Sequence, residues 1–302
     1  MPSLVGSEMC IRDRPFSEFL KLNHCEDAEL VWKGPFTSFG YGYFDEIPAA
    51  YVLKYLDAFT VKQFLSTGKL WTWYNGTQSI WEGVNSHLKH PVLLNSEVTD
   101  IKRENDKAYV TVNGKTEEFD KLIICTPLEL FLGYGDPRPE EKELFSKIVH
   151  KEYFTMAVRP EEGNAPDISY YFFENMTNET RGHLMVFYHR WSDGVTDQPL
   201  VTFTLRNHEG MEDVPFEEAK ETTLADMEKC GLKVDKIERI DDWYYFPHVG
   251  SKDYADGWYE KVEAMQGKDN TYYAGEVMAF GDMEETLSLI HISEPTRLGM
   301  IS

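Results

Sequence analysis

Apolar residues recur at helical spacing between positions 48 and 57, where Val52, Leu53, Tyr55 and Leu56 share a surface behind Pro48, a favoured first helical residue. The same period returns at Ile80, Trp81, Val84 and Leu88, with Thr77 placed as the N-cap and Pro91 as the stop. Two helices are predicted there. The period then changes to the alternation of strands over residues 91–95, 98–103 and 107–112, and the last of these reaches Asn113-Gly114, a strong two-residue hairpin signal. Residues 117–119 supply the return strand. The continuous apolar run 122–125 predicts a buried parallel strand.

From 153 to 206 the chain is rich in aromatic and β-branched residues, which predicts a largely antiparallel sheet. Residues 216–230 read as an acidic helix that Gly231 ends, and 234–245 as one more strand.

The two ends carry a different kind of pattern. Back-translation of Leu4 to Asp13 and of Leu287 to Arg297 yields one DNA segment read in opposite directions. No folding requirement produces that relation, and it resembles a transposase-type sequencing adaptor. Residues 1–14 and 288–302 are therefore expected to be adaptor scars that add nothing to the native core.

With 302 residues, 42% hydrophobic and 14% aromatic, the chain can bury a sizeable core and hold about two domains. Its formal net charge of -22 argues against nucleic-acid partners, which need clustered Lys and Arg. Outside the scars the thiols are Cys25, Cys125 and Cys230, an odd and widely spaced set that implies no disulfide framework and suits a cytoplasmic, reducing compartment. No run is long and apolar enough to predict a transmembrane span.

The most informative stretch for chemistry is Thr271 to Glu276, followed by Phe280-Gly281-Asp282-Met283-Glu284. It places a small residue, a glycine and a carboxylate at the end of a strand. Gly275 removes a Cβ from a close backbone approach, and Glu276 can accept hydrogen bonds from sugar or ribityl hydroxyls. An ordinary strand-to-helix turn explains the same residues. His87 with His90 and His183 with His189 are spaced to share faces but lack a third ligand, so no metal site is expected. Cys125 reads as an inert core thiol. Tyr41, Tyr43, Phe187, Trp243 and Phe246 are candidates for an aromatic substrate chamber, with core packing as the competing reading.

Three further blocks accompany that stretch: Asn75 to Glu82, Val92 to Arg103, and Phe119 to Pro127. Their order and spacing resemble the flavin-containing amine oxidase superfamily over residues 36–286. Phe39-Gly40-Tyr41-Gly42-Tyr43 and Tyr245-Phe246-Pro247-His248 look most similar to its polyenoic fatty acid isomerase branch. The resemblance implies a mixed α/β fold in which a partial FAD-binding Rossmann-like domain is interleaved with a mixed-sheet substrate domain. The segments implied are 15–75 and 128–243 for the substrate domain, and 76–127 and 244–287 for the FAD domain.

The same resemblance implies FAD as cofactor, with the Val98 backbone at the adenine and Thr126 and Pro127 near the dinucleotide. Gly275 and Glu276 would lie at the ribityl–phosphate region, and the backbone of Met283 and Glu284 at the pyrimidine edge of the flavin. The activity implied is hydride removal from a C–H bond of a small, possibly apolar molecule, as oxidase or double-bond isomerase. The rival is a ligand-binding or scaffold protein that keeps the fold without catalysis. A Gly-x-Gly-x-x-Gly run, which holds a pyrophosphate, is absent from the sequence. Truncation at the adaptor is expected to account for that, leaving the fragment inactive.

Overall fold

The computed structural model describes residues 11–55, 62, 66, 73, 75–161, 169–189 and 199–279. Met283 and Glu284 lie outside the described residues, as do residues 1–10 and 288–302 of the expected scars. The chain opens with helices α1 (Phe16–Leu22), α2 (Glu29–Thr37), α3 (Ala49–Tyr55) and α4 (Gln78–His87). An antiparallel meander follows, built from β1 (Val98–Glu104), β2 (Lys107–Val112) and β3 (Lys115–Phe119). Next come β4 (Leu122–Ile124), α5 (Leu128–Tyr134) and α6 (Pro139–Phe145).

A five-stranded sheet comprises β5 (Val149–Pro160), β6 (Tyr170–Tyr171), β7 (Leu184–His189), β8 (Leu200–Leu205) and β9 (Val234–His248). Its order is β6-β7-β8-β5-β9, and every described pairing in it is antiparallel. Helix α7 (Phe216–Lys229) connects β8 to β9. Short helices α8 (Ser251–Ala255) and α9 (Trp258–Glu263) lead to β10 (Thr271–Tyr273) and α10 (Glu276–Ala279). β10 pairs in parallel with β4.

Alternation along β5 sends its side chains to two different cores. Phe154, Met156 and Val158 pack with Leu184 and with Ala219 and Met227 of α7. Tyr153 faces the other way, onto Tyr43, Met185 and Phe203. A third core joins β4, α5, α6, α9 and β10 through Ile124, Phe131, Phe145, Trp258 and Tyr273. The fourth holds Phe16, Phe36, Tyr41, Tyr51 and Phe246. Helices α5 and α6 share a core with β4 and β10.

A buried ion pair ties the first helices to the sheet. Lys151 Nζ lies 2.5 Å from Glu46 Oε2, with both side chains at most 3% exposed. Glu46 also accepts the amides of Tyr43 and Glu209, so its charge is fully engaged.

Several local expectations hold. Asn113 and Gly114 both take positive φ, 50° and 76°, as a type I′ hairpin requires. Gly231 takes φ of 81° just past α7, where the Leu232 amide returns to the Met227 carbonyl. Others do not. Residues 91–95 join no ladder, and Val92, Leu93 and Leu94 are exposed. Thr77 makes no side-chain cap on α4; its backbone is already helical. Ile11 does pack against the core and Arg14 accepts the Ala49 amide through its carbonyl, while Arg12 meets Glu260 at 2.6 Å on the surface.

The tie between α7 and the sheet is pH-sensitive. Asp226 Oδ2 accepts hydrogen bonds from His183 Nδ1 at 2.8 Å and the Leu184 amide at 3.2 Å, while Lys229 reaches Oδ1 at 2.9 Å. Burial pushes the Asp226 carboxyl up, but these bonds outweigh it and hold its pKa below the usual value. A depressed carboxyl pKa stabilises the fold above the unfolded value of about 3.9 and loses that contribution as pH falls through the lower folded value. Asp226→Asn should therefore lower the urea midpoint at pH 7 by an amount that shrinks below about pH 4. A midpoint difference that stays constant with pH would contradict this.

Candidate functional site

Two parallel strands, β4 and β10, end side by side, in the register Ile123↔Tyr272 and Ile124↔Tyr273. The Ala274 amide extends the ladder by one bond, 2.9 Å to the Ile124 carbonyl. The chain then diverges, through Cys125-Thr126-Pro127 into α5 on one side and through Gly275 into α10 on the other. A crevice outside the carboxyl ends of parallel strands is where open α/β sheets bind ligands. Thr126, Pro127, Gly275 and Glu276 are brought together at this point. Val98, at the start of β1, packs its half-buried side chain against the same core.

Gly275 is required for a reason the sequence did not reveal. Its φ is +100°, and a Cβ there would lie 2.6 Å from the Cys125 carbonyl oxygen. The glycine therefore lets β4 and β10 separate into their turns, whatever approaches from outside.

Thr126 is exposed, and its Oγ1 lies 2.9 Å from the Tyr134 hydroxyl. Pro127 is exposed at the N-cap of α5. Glu276 has a buried Oε1 with no hydrogen-bond partner. Burial raises its pKa, the charge of His150 opposes that rise and the charge of Glu129 adds to it. His150 and Glu129, neither of them singled out from sequence, are themselves in contact, with Nε2 3.1 Å from Oε1.

Beside these strands stands a second group that sequence reasoning missed. Arg103 of β1, its side chain 1% exposed, grips both oxygens of Glu141 and one of Asp136. Tyr273 of β10 donates its hydroxyl to Glu141 as well. The strand expected at the adenine and the strand that leads to Gly275 are thus fastened to one buried carboxylate.

Other candidates fall elsewhere. Tyr41 and Phe246 fill a core, with ring centroids 5.1 Å apart, while Tyr43 and Phe187 belong to two different cores. They do not converge on a chamber. Trp243 is exposed. Cys125 is exposed rather than buried, because its strand has a single described neighbour. Partial burial of its thiol still pushes the pKa up. His87 Nδ1 lies 2.8 Å from the Gly83 carbonyl on an exposed helix end, and His183 is taken by Asp226. His248 is fully buried, 2.8 Å from the Phe246 carbonyl, and burial pushes its pKa down to about 3. Together with His150, Lys151, Asn207, His208 and Tyr244 it lines a cavity of about 290 Å³. Among the described residues no helix is long and apolar enough to cross a membrane.

The family described as flavin containing amine oxidoreductase matches residues 16–285. The FAD-dependent oxidoreductase oblC of Cochliobolus heterostrophus is 27% identical over 296 residues, which cover 90% of this chain and 59% of that protein. The chain thus spans 59% of the length of that curated relative. The crystal structure of a CLA-producing fatty acid isomerase from P. acnes superposes with a TM-score of 0.90 at 46% identity, covering 97% of this chain and 68% of the isomerase. A cofactor-binding redesign of putrescine oxidase shares the fold, with a TM-score of 0.70 at 14% identity over 99% of this chain and 70% of that one.

Proposed function

The chain belongs to the flavin containing amine oxidoreductase family, and from that premise we propose that it serves an FAD-dependent double-bond isomerase acting on an unsaturated fatty acyl chain. The observation that carries the proposal is the 46% identity, at a TM-score of 0.90, to a fatty acid isomerase. FAD is the cofactor that the family implies. One observation fits part of it: among the described residues Glu276 offers a buried acceptor that has no hydrogen-bond partner.

In this reading Glu276 accepts hydrogen bonds from ribityl hydroxyls, the Val98 backbone meets the adenine, and Thr126 and Pro127 flank the dinucleotide. Met283 and Glu284, outside the described residues, are assigned to the pyrimidine edge. When bound, the flavin supplies an acceptor for hydride from a substrate C–H bond and the donor that returns it. The protein's part is to orient the reacting carbon and keep water out. With no Gly-x-Gly-x-x-Gly in the sequence, the isolated chain should hold FAD weakly and turn over slowly or not at all.

The test is anaerobic mixing of the FAD-loaded protein, supplied with a Gly-x-Gly-x-x-Gly unit ahead of Pro15, with a polyunsaturated fatty acid and separately with primary amines. Flavin absorbance and product double-bond position are followed. A shifted double bond without net flavin reduction is expected from the fatty acid. Flavin bleaching by amines, with peroxide released on adding oxygen, would assign an amine oxidase. No response to any C–H donor would favour a binding protein.

A further inference from the structure

Two buried carboxylate oxygens past the ends of β4 and β10 have no hydrogen-bond donor among the described residues: Glu129 Oε2, in the first turn of α5, and Glu276 Oε1, at the start of α10. Buried polar atoms in folded proteins are nearly always satisfied, so orphaned acceptors call for a donor that the described residues do not supply. The two stand in the first turns of the helices that leave the adjacent parallel strands β4 and β10, with His150 against Glu129, and the charge of Glu129 acts on Glu276.

Glu129 is held as a ligand-binding side chain would be. Its Oε1 is fixed by His150 Nε2 at 3.1 Å, and the His150 side chain is 10% exposed, with its ring edge-on to Tyr244 at 5.6 Å. The other oxygen is left open. Basic side chains on neighbouring strands are engaged elsewhere, Lys151 with Glu46 and Arg206 with Glu152 and Asp242. Two acceptor-only groups from separate elements suit a ligand with successive hydroxyl donors.

We propose that Glu129 pairs with Glu276 as a polyol clamp on the ribityl chain of the flavin, with His150 as the positioning residue that turns the free oxygen of Glu129 toward it. The proposal rests on the FAD reading and assigns to it a carboxylate that the sequence motif does not contain.

Flavin fluorescence titrations with FAD, and with lumiflavin, which lacks the ribityl chain, test the clamp in the wild type, Glu129→Leu, Glu129→Gln and His150→Phe. Glu129→Leu should weaken FAD roughly 10- to 100-fold, the range for losing a hydrogen bond to a charged group, and leave lumiflavin unchanged. Glu129→Gln keeps an acceptor and should retain part of the affinity, and His150→Phe should weaken FAD less than Glu129→Leu. The ligand-free melting temperature of Glu129→Leu should stay close to that of the wild type, since the variant removes an unsatisfied buried acceptor but also the 3.1 Å contact to His150.

Wild-type binding of both flavins with no effect of Glu129→Leu on FAD overturns the clamp alone. Equal weakening of FAD and lumiflavin overturns it as well. All titrations use the protein supplied with a Gly-x-Gly-x-x-Gly unit ahead of Pro15, and failure of that protein, unsubstituted, to bind either flavin overturns the FAD reading and the clamp together. A larger melting-temperature rise with 1,4-diaminobutane than with ribitol would reassign the two carboxylates to an ammonium group and overturn the polyol assignment.

Discussion

Arg103→Ala should cost about 3–5 kcal/mol of folding stability, the range for breaking a buried ion pair by removing one partner. The guanidinium holds both Glu141 oxygens at 2.7 and 2.8 Å and an Asp136 oxygen at 2.8 Å. Its face lies 5.1 Å from the centre of the Phe131 ring. Truncation would leave Glu141, fully buried, with the Arg138 amide, the Tyr273 hydroxyl and the Arg138 guanidinium at the longer distance of 4.0 Å. Burial pushes the Glu141 carboxyl up, and Arg103, Tyr273 and the Arg138 amide together hold it below the usual value. The loss should therefore be greatest near neutral pH and shrink as Glu141 becomes protonated. Arg103→Lys should not rescue it, because an ammonium cannot reproduce the planar two-oxygen grip. The double variant Arg103→Met, Glu141→Leu should be more stable than Arg103→Ala, since no charge is stranded. A urea denaturation series that places Arg103→Ala within about 1 kcal/mol of the wild type, as for an exposed pair, would show that the network is not buried as described.

Gly275→Val should destabilise the chain before any ligand is added. A β-branched residue at φ of +100° is strained, and its Cβ would press against the Cys125 carbonyl at 2.6 Å. Backbone strain of about 1–3 kcal/mol and overpacking of about 1–3 kcal/mol together suggest a loss of about 2–6 kcal/mol. The obstacle is backbone held in the β4–β10 ladder, so it cannot rotate away as a side chain would. The expected result is a lowered melting temperature in the ligand-free protein together with lost flavin binding. Wild-type stability with lost flavin binding would return Gly275 to the simpler role of clearing space for a ligand.

These two cases also mark how far the sequence could be read. The need for glycine at 275 was legible, because a Gly after a strand and before a carboxylate restricts the backbone in few ways. The cause was not, since the Cys125 carbonyl stands 150 residues earlier in the chain and only the parallel pairing brings it near. Arg103 carried no signal, as it reads as one more polar position in an alternating strand. Its partners arrive from α6 and from the loop before it, and tertiary contact alone reveals them. Glu129 was hidden in the same way, by its dependence on His150 at the start of another strand.

Hairpins and helix ends were readable because their signals are local. Asn113-Gly114 and Gly231 each determine φ from their own chemistry. The run 122–125 was read as buried because it is apolar throughout. It does form a parallel strand, yet Ile123 is 61% exposed, since burial depends on neighbours that the run itself does not specify. The aromatic chamber failed for a related reason: aromatic residues fill cores as readily as they line pockets, and Tyr41, Tyr43 and Phe187 ended in three separate cores.

The central claim is that the ends of β4 and β10 form the flavin site, and amide hydrogen exchange with and without excess FAD tests it most directly. The account predicts slowed exchange concentrated in residues 122–129 and 271–279, with the five-stranded sheet unchanged. Protection confined to the sheet or to the cavity around His248, or no protection under conditions where FAD binds, would contradict it.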